Sequence, residues 1–146
     1  MGVTIYIVNG PNLNLLGKRE PSIYGERSFE EFLEELKHRL PNVQLVYFQS
    51  NHEGALIDFL QAHGWESAGI ILNAGGLSHT SIALADTVAA IAAPVIEVHI
   101  SNIIAREAFR QHSHLSRVSK GVISGLGLEG YYQAASYLQT LLLDPS

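Results

Sequence analysis

Val3-Thr-Ile-Tyr-Ile-Val8, followed at once by Asn9-Gly-Pro-Asn-Leu-Asn14, decides how the chain is to be read. A short run of β-branched and aromatic residues reads as a buried strand. Gly10-Pro11 then breaks it, and the exit is unusually polar. Ser28-Phe-Glu-Glu31 is a capping box. It opens a helix with Phe29, Phe32, Leu33, Leu36 and Leu40 on one face, ended by Pro41. The same alternation continues. Val43 to Phe48 is a second strand, and Glu53 to His63 a helix with Leu56, Phe59 and Leu60 inward and Gly64 as its stop. Ala68 to Leu72 is a third strand, Ser78 to Ala92 a third helix, Pro94 to Val98 a fourth strand and Val118 to Ser124 a fifth. Gly130 to Leu143 closes the chain as a helix.

Strand and helix in alternation mean a parallel sheet covered on both faces. Five strands in 146 residues predict an α/β, flavodoxin-like three-layer sandwich with strand order 2-1-3-4-5. No linker, repeat or low-complexity segment interrupts residues 1–146, which are expected to form one domain. The composition is 47% hydrophobic, that of a globular chain. A net charge of −5 without a basic block argues against a nucleic-acid or anionic-membrane partner. With no cysteine, disulfides and thiolate metal sites are excluded. No signal-type segment or membrane-spanning run is legible, so a cytoplasmic location is expected.

In such a fold, ligands bind beyond the carboxyl ends of the strands. Those ends are Asn9 to Asn14, Asn73 to His79 and Glu97 to Asn102, all polar. Glu97-Val-His99 puts an acid and an imidazole on one face of a strand. A carboxylate so placed can fix the imidazole's tautomer and raise its basicity. Asn73-Ala-Gly-Gly76 brings flexible backbone next to His79, which either contacts a ligand or caps the following helix. Arg106 and Arg110, four apart, would share a face of a short helix and could clamp a carboxylate. For Arg106, pairing with Glu107 or solvation is the favoured reading. Asp86 is a lone acid on a nearly all-apolar helix, so a second subunit is expected to cover that helix and supply a partner. Gly125-Leu-Gly-Leu-Glu-Gly130 fits a dinucleotide fingerprint, but the chain has no room for the further strand and ribose-binding acid. A tight turn with close helix packing is the preferred reading. The histidines show no zinc spacing, and neither metal nor cofactor is expected.

Gly17 and Gly25 flank a segment containing Arg19, Pro21 and Tyr24, which reads as a lid with glycine hinges. A phenol is a poor base near its normal pKa of ~10, and a neighbouring cation favours the phenolate.

Taken together, these stretches resemble the type II 3-dehydroquinate dehydratase family. The resemblance rests on Asn9–Asn14, Gly17–Gly25, Gln49-Ser-Asn-His-Glu-Gly54, Asn73–Gly76 with His79-Thr-Ser81, Glu97-Val-His-Ile-Ser-Asn102, and Gly121-Val-Ile-Ser-Gly-Leu-Gly127. It implies a hydro-lyase acting on 3-dehydroquinate by anti elimination through an enolate, without metal or Schiff base. It also implies roles for particular residues. Tyr24 would be the base, Arg19 the cation that keeps it ionised, and His99 the acid oriented by Glu97. Asn12 would hold a water at the enolate oxygen. Asn73, His79, Ile100, Ser101 and Arg110 would bind the substrate, and Asp86 would reach a neighbouring subunit's site. The family implies a homo-oligomer, a dodecamer built as a tetramer of trimers. Ala74, Ile104, Arg117 and Ser124 depart from the family's common residues. Two other readings stay open at this point: a non-catalytic flavin-binding module, and a metal-dependent hydrolase.

Overall fold

The computed structural model describes residues 2–18, 27–65 and 68–144. Strands β1 (Val3–Asn9), β2 (Val43–Gln49), β3 (Ala68–Asn73), β4 (Val95–His99) and β5 (Gly121–Ser124) form one parallel sheet in the order β2-β1-β3-β4-β5. Helices α1 (Phe29–Arg39), α2 (Glu53–His63), α3 (Ile82–Ala90) and α4 (Glu129–Leu143) flank it. This is the flavodoxin-like arrangement that the alternation of segments predicts.

The period of two along each strand feeds two cores. On one face, Ile5, Ile7, Ile71, Ile96 and Val98 pack with Phe29, Phe32 and Leu36 of α1 and with Tyr131 and Leu138 of α4. On the other, Val8, Ile70, Leu72 and Val95 meet Leu56 and Leu60 of α2 and Leu84 and Val88 of α3. Every residue of β3 is buried, as the central strand of such a sheet requires. Ser28 caps the helix as expected: the Glu31 amide donates to Ser28 Oγ at 3.1 Å, and the Ser28 hydroxyl donates to Glu31 Oε1 at 3.1 Å. Among the described residues, no helix is long and apolar enough to cross a membrane.

Most element ends lie within two residues of the sequence expectation, and three segments differ more. The third helix begins at Ile82, not Ser78, because Ser81 is its cap and accepts the Leu84 amide at 2.9 Å. Gly75–His79 instead forms a separate 3₁₀ turn. The fifth strand starts at Gly121, since the Val118 and Ser119 amides turn back onto the Leu115 carbonyl. Arg106 and Arg110 do not share a helix. Short 3₁₀ turns at Ile103–Ala105 and Ala108–Arg110 are separated by extended backbone at Arg106. The Asn102 side chain caps the first of them at the Ile104 amide, a local bond that competes with helix extension.

Candidate active site

The carboxyl ends of β1, β3 and β4 form the floor. Asn9 and Asn73 are neighbours in register, and Glu97 lies beside Leu72. The loops leaving β1 and β3 touch, and two glycines make this possible. The Gly10 amide donates to the Asn73 carbonyl at 2.7 Å, and a Cβ on Gly10 would come within 2.5 Å of the Ala74 carbonyl oxygen. Gly75 has φ +61°, a conformation that side chains rarely adopt, and it lies against Pro11. A pocket of about 130 Å³ opens above. It is lined by Pro11 to Leu13, Asn73, the Gly75-Gly76 turn and His79, by His99 to Ser101 with Ile103, and by Arg106 and Arg110.

Buried hydrogen bonds fix the floor. The Tyr131 hydroxyl donates to Asn9 Oδ1 and accepts from Asn73 Nδ2, both at 2.8 Å. Asn73 Oδ1 accepts the Gly75 amide at 3.2 Å, so the orientation of the Asn73 amide is determined. Asn9 Nδ2 in turn donates to the Tyr47 hydroxyl at 3.4 Å. Burial pushes both phenols up, Tyr47 to about 12 and Tyr131 further, so both stay protonated. Replacing Tyr131 with phenylalanine keeps the ring packed on Phe29 but strands Asn9 Oδ1 and one Asn73 N–H. The expected cost is about 2–4 kcal/mol. It would be read as a lower urea midpoint at unchanged slope and fixed protein concentration. A midpoint equal to wild type would show that the network contributes nothing.

Asn12 has φ 71°, a left-handed conformation that asparagine tolerates. Its amide donates to Asn51 Oδ1 at 3.0 Å, and Gln49 Nε2 bridges Asn51 Oδ1 and the Gly10 carbonyl, each at 3.1 Å. Gln49 and Asn51 belong to the resembling motif without a role assigned from it; here they brace the loop that carries Asn12.

Glu97 is fully buried and His99 nearly so. His99 Nε2 bonds Glu97 Oε2, Ser113 Oγ donates to the same oxygen at 2.6 Å, and Ser116 Oγ donates to Oε1 at 2.6 Å. Burial alone would raise the Glu97 carboxyl, yet the bonds from His99, Ser113 and Ser116 outweigh it and hold the group below the ordinary carboxylate range. The carboxylate is therefore ionised at neutral pH. An ionised carboxylate only accepts, so the His99 nitrogen facing it carries a proton. Burial lowers the pKa of His79; the neighbouring His99 and Arg110 lower it further, against a bond to the His112 carbonyl that raises it. His79 Nδ1 donates to that carbonyl at 2.7 Å, and its ring stacks on His99 at 6.2 Å between centroids.

Arg106 lines the pocket and donates to Ser101 Oγ at 3.3 Å, with Glu107 at 4.0 Å. The expected pairing with Glu107 is thus present, at the long limit of an ion pair, and the side chain lines the pocket as well. Arg110 lines the pocket too, held to Glu107 Oε1 at 3.0 Å. Two guanidiniums at one mouth suit an anionic ligand. The Gly125 and Gly127 amides bond the carbonyls of His99 and Ile100, and Gly130 packs on Val98 and Ile123. The glycine-rich stretch therefore supports the exit of β4 as a tight turn. Ser124 Oγ also reaches the Ser101 carbonyl, at 3.2 Å.

Of the residues singled out from the sequence, Asn12, Asn73, His79, His99, Ile100, Ser101 and Arg110 line one pocket, with Glu97 directly behind His99. Asp86 is exposed on α3 and does not line it. Arg19 and Tyr24 lie outside the described residues. Ser113, Ser116, Asn9 and Tyr131 received no role from the sequence. The available signal was physical: a buried Glu97 needs donors, and a polar loop was at hand to provide them.

An open α/β sheet with an acid–imidazole pair and two arginines at its carboxyl end defines a small-molecule enzyme site at a topological switch point. Residues 3–139 match the model of the class II dehydroquinase family. The chain is 50% identical over 136 residues to a 3-dehydroquinate dehydratase of Roseiflexus castenholzii, covering 92% of this chain and 87% of the relative. It is 56% identical over 128 residues to one from Exiguobacterium sp., covering 87% and 88%. The crystal structure of a type II dehydroquinase from Propionibacterium acnes superposes with a TM-score of 0.90 at 39% identity, covering 96% of this chain and 98% of that one. The chain belongs to the class II dehydroquinase family.

Proposed function

We propose that the chain removes water from 3-dehydroquinate to give 3-dehydroshikimate, by anti elimination through an enolate. The observation that carries this reading is the convergence of the Glu97–His99 pair and the two arginines on one pocket. Loss of water from a β-hydroxy ketone needs a base at one face and an acid at the other. His99, backed by an ionised Glu97, is the acid that protonates the leaving hydroxyl. Tyr131 and Tyr47 are unsuited to be the base: burial keeps both phenols protonated, and both hydroxyls are engaged within the floor. The base is assigned to Tyr24, with Arg19 favouring its phenolate. Asn12 positions a water at the enolate oxygen. Asn73, His79, the backbone at Ile100 and Ser101, and Arg110 hold the substrate's hydroxyls and carboxylate.

The exposed Ile82, Ala83, Ala89 and Ala90 around Asp86 support the reading that a second subunit covers α3 and that Asp86 completes a neighbour's site. The same reading takes the assembly to be a trimer, with four trimers forming a dodecamer. A cytoplasmic place in shikimate formation or quinate breakdown fits the same chemistry. The decisive experiment adds 3-dehydroquinate to the purified protein and follows the enone absorbance of the product. Absorbance should rise, in excess chelator as well as without it. A flat trace from folded protein would overturn the assignment.

A further inference from the structure

His112 to Ser116 form a short polar stretch between the second arginine turn and β5. This stretch bonds one pocket imidazole directly and the other through Glu97. The His112 carbonyl accepts from His79 Nδ1 at 2.7 Å. The Ser113 and Ser116 hydroxyls reach the two Glu97 oxygens at 2.6 Å each, and Glu97 bonds His99. The stretch is itself anchored: the His114 amide donates to the Ser78 carbonyl at 2.8 Å, and the Leu115 amide to Ser113 Oγ at 3.1 Å. With Ser113 Oγ accepting from that amide, its own proton is free to be given to Glu97.

Consider what each bond dictates. A carbonyl oxygen can only accept, so His79 is protonated at Nδ1, and when neutral it offers Nε2 as an acceptor. Two hydroxyls that donate to a buried carboxylate favour its charged form over its neutral one. A charged carboxylate then fixes a proton on the His99 nitrogen that faces it, leaving the other ring nitrogen for the ligand. We propose that the His112–Ser116 stretch is the positioning element of this site, with Ser113 and Ser116 keeping Glu97 a carboxylate behind His99 while His112 fixes the tautomer of His79. One segment, outside the pocket lining, thereby sets the proton pattern of both imidazoles. The inference rests on the dehydratase reading for its kinetic consequence but not for its protonation pattern.

Among the described residues, the titratable groups on the stretch itself are His112 and His114, which flank Ser113, and others come from neighbouring elements. His79 faces the Glu97–His99 pair from the turn after β3, and Arg106 and Arg110 from the turns after β4. The flanking strands place Leu72 and Val122 beside Glu97, neither of them titratable. Among the described residues, Glu97 accepts bonds from His99, Ser113 and Ser116, so removing a serine hydroxyl removes one of these three.

The test uses Ser113→Ala, Ser116→Ala and the double variant, each first shown to fold by circular dichroism. Ser113→Thr keeps a hydroxyl and serves as the conservative control. In the substrate-free protein, the protonated-carboxyl infrared band of Glu97, identified by its loss in Glu97→Gln, is titrated with pH. Each alanine should move that titration up by roughly one to two pH units, and threonine should largely restore it. In turnover, the acid limb of the kcat profile should move up with it, because activity needs the carboxylate and is lost as pH falls through its pKa. An unmoved Glu97 titration in the folded double variant overturns the proposal whether or not the wild-type protein turns over. A wild-type protein inactive on 3-dehydroquinate, with the infrared shift as expected, would instead overturn the dehydratase reading and leave the positioning role standing.

Discussion

Changing His99 to alanine is expected to lower kcat by about 10²–10⁴-fold while KM moves only severalfold. Hydroxide is a poor leaving group, and the proposed acid is the side chain that lets it depart as water. The imidazole ends β4, the most rigid kind of platform this fold offers, and lies against a fully buried carboxylate. It is aimed before substrate arrives, so little reorganisation opposes proton transfer. Alanine removes the proton donor and leaves the arginines and Asn73 to bind as before. Steady-state kinetics at several pH values checks this, and added imidazole should recover part of the lost rate. A kcat within a few-fold of wild type would falsify the role of His99 as the acid.

The opposite face of the reaction should be as sensitive. Tyr24→Phe removes a single oxygen from the proposed base and should cost roughly 10²–10⁴-fold in kcat. A phenol titrates near ~10, so at neutral pH it needs help to act as a base. Arg19, five positions earlier in the sequence, is the proposed source: a cation beside the hydroxyl favours the phenolate. Phenylalanine retains the ring, so the variant should still bind substrate, measurable by isothermal titration. Loss of binding with turnover per bound substrate unchanged would make Tyr24 a contact and send the search for a base elsewhere.

The strands and most helices were legible because their signals are local. Val3 to Val8 and Ala68 to Leu72 are largely apolar runs of strand length, and Ser28 announces its helix with Glu31 three residues on. The start of α3 was misplaced because both Ser78 and Ser81 are plausible caps, and only the bond from the Leu84 amide selects Ser81. The spacing of Arg106 and Arg110 suggested one helix, but the Asn102 cap and the extended backbone at Arg106 broke it into two turns. Even so, both guanidiniums line the pocket. The supports of the site were hidden for a different reason. Ser113 and Ser116 act on a residue 16 and 19 positions away, and Tyr131 acts on Asn9 across most of the chain. A serine or a tyrosine carries no mark of such a partner, and only the topology introduces them.

That last bond sets an order in time. Asn9 and Tyr131 are 122 residues apart. At ribosomal speeds of ~5–20 residues per second, the first asparagine waits roughly 6–24 s for the hydroxyl that completes its wall. Until α4 has been made and has docked on β1 and β3, the nascent chain holds a partly apolar sheet and no finished pocket floor. The pocket floor is therefore fixed only once α4 is in place: a chain cut short before Tyr131 would carry the acid pair, both arginines and both floor asparagines, but not the hydroxyl that joins Asn9 to Asn73.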